Sequence, residues 1–97
     1  MTFHPGHDAL HGFTVVLFSD GPSTWVGRWQ EEQDGMIHLA DACEHRDGDR
    51  GLDKEAFLAE LARSGPRPTH RVMSVPRQAV TNVRQLGDVA REIRERS

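Results

Sequence analysis

His4, His7 and His11, with Asp8 between them, gather three imidazoles and a carboxylate near the amino terminus. These are the residue types that share a metal ion when a helix turns them onto one face. His4-Pro5-Gly6 makes a poor helix, so the spacing does not force convergence. Cys43 and His45 offer two further ligands where a structural site needs four. Asp47-Gly48-Asp49-Arg50-Gly51, followed by Asp53 and Glu55, alternates acids and glycines as a calcium loop does. Arg50 falls where a ligand is wanted, however, and no Gly at the sixth place is matched by a Glu at the twelfth. The expectation is a solvated loop, with no bound metal and no cofactor.

Nucleophilic chemistry fares no better. Ser19, Ser23, Ser64, Ser74 and Cys43 lack a motif that sets a base beside them, and His38 is the one candidate base expected inside the folded sheet. The chain therefore reads as a non-enzyme. Trp25 and Trp29, beside Arg28, have the chemistry of a stacking platform for a base or a partner side chain. Filling the core is the plainer use of two large aromatics in a chain this poor in them.

The elements that must position these residues are marked in the sequence. Phe13 to Phe18 is β-branched and aromatic and stops at Ser19-Asp20-Gly21-Pro22, which predicts strand one and a turn. Thr24 to Gln33 predicts a long strand two, bent at Gly27 and ending at the hairpin dipeptide Asp34-Gly35. Met36 to Cys43 predicts strand three, with Ile37 and Leu39 in the core. A polar loop, Glu44 to Gly51, leads to Asp53 as N-cap of a helix over Lys54 to Arg63, with Leu52 and Phe57 at the staple positions and Gly65-Pro66 as the stop. His70 to Val75 and Gln78 to Val83 predict strands four and five around Pro76-Arg77. Leu86, Val89 and Ile93 recur at helical spacing and predict a carboxy-terminal helix with one apolar stripe.

Size and charge bound the possibilities. A chain of 97 residues has room for one core, and 36% hydrophobic residues with two Trp, four Phe and no Tyr is lean, which raises the expectation of self-association. One cysteine and no secretory pattern fit a reducing cytoplasm, and the longest apolar run, Val15 to Phe18, is far too short to span a bilayer. Net charge is -3 but uneven: residues 1–60 hold 12 acids and 4 bases, residues 61–97 hold 3 acids and 8 bases, all arginine. An anionic partner or mutual attraction between copies would both use that split.

In order along the chain, Val15, Leu17, Gly21, Gly27, Glu32 or Asp34, Leu39, Asp41 and Glu44 match the first signature of the Sm-like family, over about residues 12–44. Val75-Pro76-Arg77-Gln78-Ala79-Val80 is similar to its second signature, the Arg-Gly corner between strands four and five. The resemblance implies a mainly β fold with two short helices: a strongly bent, five-stranded antiparallel Sm/SH3-like barrel, here with a helical insertion between strands 3 and 4. It divides the chain into a leader, 1–11, a barrel, 12–86, containing the insertion 52–64, and a carboxy-terminal helix, 87–97.

The same resemblance implies a ring of copies in which strand four of one pairs with strand five of the next, making Val72, Val80 and Val83 the expected seam. It also implies RNA on the inner rim. Met36 stands where the family carries a base-contacting Asn, and Arg77 falls one place late with Gln78 after it, so any RNA or partner contact is expected at Trp25, Arg28, Met36, His38 and Arg77. The expected function is a non-catalytic, homo-oligomeric assembly or binding module with RNA as the first partner to test. The alternatives are an adaptor that docks a protein partner through its two helices and, third, a small enzyme or metal-binding protein. No membrane partner is expected.

Overall fold

The computed structural model describes residues 10–96; His4, His7, Asp8 and most of the leader lie outside the described residues. Its elements are β1 Thr14–Phe18, β2 Ser23–Gln33, β3 Met36–Arg46, α1 Lys54–Ser64, β4 His70–Pro76, β5 Asn82–Gln85 and α2 Leu86–Arg96, with 3-10 turns at Asp49–Gly51 and Arg77–Ala79. The strands form one antiparallel sheet in the order β4-β3-β2-β1-β5.

Strand β1 explains the uninterrupted apolar run. Val15 and Leu17 point to one face of the sheet and join Trp29, Ile37, Leu39, Ala42 and Val75 in a core inside its curve. Val16 points to the other face, where Val26, Cys43, Phe57, Leu61 and Val89 form a second core under the two helices. A strand covered on both faces has no polar side to alternate with.

The bend comes from β2 and β3. Opposite Gly27, strand β3 carries an extra residue at Asp41 (φ 49°), and the register shifts again between Trp29 and Glu31. A bulge adds local twist and turns the strand direction, which lets a small sheet curl around its own core. Asp34 (φ 54°) and Gly35 (φ 75°) both take the left-handed conformation that a tight two-residue hairpin needs.

Helix α1 begins where its cap predicts: the Asp53 carboxylate accepts from the Ala56 amide at 2.8 Å, and the chain stops at Gly65 (φ 76°). It buries Phe57 and Leu61 against the outer face, while α2 buries Val89 and Ala90 beside it. Arg84 on β5 and Glu92 on α2 form a two-pronged ion pair that ties helix to strand.

Two expectations are corrected. Strand β3 runs on to Arg46, because His45 is buried and its ring stacks on Phe57 with centroids 4.2 Å apart. Strand β5 starts at Asn82, not Gln78: the Val80 amide closes the 3-10 turn on the Arg77 carbonyl at 3.0 Å, so Val80 is a turn residue. On α2, Arg91 pairs with Asp88 and Glu92 with Arg84.

Candidate nucleic-acid interface

Two turns that are distant in sequence meet at one end of the sheet. Register pairs Met36 with Pro76, so the β2–β3 hairpin and the β4–β5 turn lie side by side. The Arg77 amide donates to the Gly35 carbonyl at 2.8 Å and locks them together. From that turn the half-exposed Arg77 side chain reaches back to Glu32, with Nε 3.7 Å from Oε2. An exposed pair at this separation is held weakly, so the guanidinium remains able to exchange its carboxylate for another anion.

His38 stands two residues along β3, on the face opposite Ile37 and Leu39. It is therefore outside the curve of the sheet, not inside as anticipated, and its Nδ1 lies 2.8 Å from the Ser74 hydroxyl on β4. Arg28 shares that outer face, opposite Ala40, where it pairs with Asp41 at 2.9 Å. Trp25 sits opposite Leu17 and Glu44, partly buried against the inner core, and Trp29 is 2% exposed within it. Of the five expected contact residues, Met36 and Arg77 are thus joined at the turns and His38 is near them along β3. Arg28 lies further along the same outer face, and Trp25 belongs mainly to the core.

The edges of the sheet carry the expected seam. β4 and β5 end the strand order on either side, each hydrogen-bonded to one strand among the described residues. Val72, on β4, is 67% exposed and is one of two strongly exposed large apolar residues among those described, the other being Phe13. Val83 on β5 and Val80 in the turn are partly buried against the inner core.

Two acids of the calcium-like loop are engaged locally. Asp49 accepts from the Arg46 amide at 2.9 Å and Asp53 caps α1. Among the described residues no group of three His, Cys, Asp or Glu side chains is placed to hold a metal ion. No described helix is long and apolar enough to cross a membrane.

Behind α1 lies a feature the sequence did not reveal. A cavity of about 470 Å³ separates the helix from the end of β3, and Cys43, His45, Arg50, Phe57, Leu61 and Arg67 are among its walls. Burial pushes the Cys43 thiol above its ordinary pKa, opposed by a hydrogen bond from the Arg67 backbone and by the charge of Arg50. Glu60, hydrogen-bonded by Arg50, is held below the usual carboxylate range, and Arg50 is raised in return. The residues come from three separate stretches, of which Cys43, His45 and the Arg50 loop had drawn notice as metal candidates and Phe57 as a helix staple.

No protein-family model matches the sequence, and no curated protein is significantly similar to it. Among solved structures, the chain is similar to an Sm protein from Pyrococcus abyssii in complex with a uridine heptamer, with a TM-score of 0.53 and 11% identity, covering 80% of this chain and 89% of that one. The fold is Sm-like: a mainly β, strongly bent five-stranded antiparallel sheet with two helices, one of them inserted between β3 and β4.

Proposed function

We propose that this protein is a non-catalytic, homo-oligomeric assembly module that binds RNA at the paired turns, with Arg77 as the principal phosphate contact and Met36 and His38 beside it. The observation that carries this reading is the pair of open edges. A sheet whose two outermost strands each lack a second neighbour among the described residues, one of them displaying Val72, is completed when β4 of one copy meets β5 of the next. Repetition of that contact sets the turns of successive copies around a common rim. The likeness to an Sm protein holding a uridine heptamer supports RNA as the ligand. The adaptor reading loses ground because the apolar faces of α1 and α2 are engaged inside the subunit.

Light scattering tests the assembly: wild type runs as an oligomer at micromolar concentration, and Val72→Asp, at an exposed position, yields a folded monomer. A monomeric wild type sinks the proposal. Fluorescence anisotropy with short U-rich and A-rich oligonucleotides at two salt concentrations tests the ligand. The acidic first part of the chain keeps generic binding weak, and Arg77→Ala lowers affinity and flattens the salt dependence by about one counterion. Tight binding that ignores Arg77→Ala places the site elsewhere.

A further inference from the structure

Strand β3 outruns β4. Their pairing ends at Ala42 and His70, where the Thr69 amide still donates to the Ala42 carbonyl at 2.9 Å, and residues 43–46 continue with β2 as their only strand partner among the described residues. Helix α1 packs on this overhang through Phe57, and a cavity of about 470 Å³ remains between them. Its size is that of a small-molecule pocket.

Charge does not recruit an ion here. The lining holds Glu44, Asp49 and Glu60 against Arg50 and Arg67, and each carboxylate is engaged. Glu44 accepts from the Ser23 hydroxyl at 2.8 Å, and Asp49 accepts from the Arg46 amide at 2.9 Å. Glu60 takes both prongs of Arg50 at 2.6 and 3.3 Å and also feels the charge of Arg67. An anion would meet an excess of acids, and a cation would have to draw a carboxylate away from the partner it has. The buried part of the wall is Cys43, Phe57 and Leu61, all apolar, and burial favours the uncharged form of the Cys43 thiol.

His45 gives that wall a direction. Its ring is 2% exposed and stacks on Phe57 with centroids 4.2 Å apart, and its Nε2 lies 2.9 Å from the Leu52 carbonyl. A carbonyl only accepts, so Nε2 carries the ring proton and Nδ1 of the neutral imidazole is left as a bare acceptor. Nδ1 has no hydrogen-bond partner among the described residues, and the stack on Phe57 together with the bond to Leu52 keeps the ring from turning to find one. A buried acceptor in this state costs free energy until a donor reaches it.

We infer that the cavity between α1 and the end of β3 binds a small neutral aromatic molecule with one hydrogen-bond donor, of the phenol or indole class, its ring against Cys43, Phe57 and Leu61 and its O–H or N–H on Nδ1 of His45. Stacked rings and a polarisable sulfur both favour an aromatic neighbour. The site is separate from the paired turns, so it stands or falls independently of RNA binding.

Titration of the isotope-labelled protein at about pH 8, where an ordinary histidine is neutral, tests this with phenol, anisole and benzoate as probes. Backbone amide and histidine ring nitrogen resonances are followed. Phenol gives saturable shifts at Cys43, His45, Phe57 and Leu61 and moves the His45 Nδ1 resonance, which in the free protein has the position of an unprotonated nitrogen. Anisole, of similar shape but without the donor, binds about tenfold more weakly, the worth of one neutral hydrogen bond, and benzoate gives no saturable shift. Absence of saturable phenol shifts at millimolar concentration, equal affinity for anisole, saturable binding of benzoate, or a protonated Nδ1 in the free protein each overturns the assignment.

Discussion

A Cβ placed on Gly27 would come within 2.8 Å of the Ala42 Cβ and 2.9 Å of the Leu39 Cβ, closer than real side chains approach. At the bulge between β2 and β3 the Leu39 and Ala42 side chains close over Gly27, and the missing side chain is what permits it. Gly27→Ala is expected to destabilise the fold by about 2 kcal/mol, because Ala42 and Leu39 belong to strand β3 and the inner core and have little room to yield. Urea denaturation measures it, and Gly27→Ala combined with Ala42→Gly should regain part of the loss. A neutral Gly27→Ala would mean that the bend does not depend on close contact.

Phe57 is 5% exposed, stacked on His45 and packed with Leu61 and Val89 in the outer core. Phe57→Ala should cost about 3 kcal/mol in equilibrium unfolding, within the range for removing a buried aromatic. A small effect on stability with a large effect on association would instead make this helix a docking surface.

The pH dependence of stability follows from Cys43. Its folded pKa lies above the ordinary 9.0, so well below that value the thiol is protonated in both states and contributes no slope. As pH rises past 9.0 the unfolded chain ionises first, the folded one resists, and stability falls until the folded pKa is passed. With no Tyr and one Lys, the chain has few other side chains titrating in this window. Unfolding midpoints from about pH 8 to about pH 10 should decline in wild type and level out in Cys43→Ala. Equal slopes in the two proteins would assign the effect to another group.

Much of the fold was legible because local rules and tertiary structure agree. Asp34-Gly35 needs two left-handed residues, Asp53 needs a helix to cap, and Gly27 needs a neighbour too close for a side chain; each signal marks its element in the structure. The misplacements occurred where a tertiary contact outweighed the local pattern. Glu44-His45-Arg46 reads as loop by polarity, yet His45 is drawn into the outer core by Phe57. Ala79-Val80-Thr81 reads as strand by propensity, yet the Val80 amide closes a turn. Of the candidate interface, Arg77 and Met36 were named through the resemblance to the Sm-like signatures, and the structure sets them at adjoining turns. The cavity was hidden because it exists only where β4 stops short of β3, a mismatch in strand length that no single segment records.

The strand order also dictates a sequence of events in folding. β2 and β3 are joined by a two-residue turn and pair through local contacts, whereas Val15 must find Gln85 across most of the chain. Loop-closure entropy penalises that second contact, so the β1–β5 junction and the helix that follows it are expected to form late. Until they do, β1 keeps one edge bare and Val16 lacks the cover of Val89. During that interval the nascent sheet has three adhesive surfaces where the finished one has two among the described residues, and the closure of β5 onto β1 sets how long the chain remains in that state.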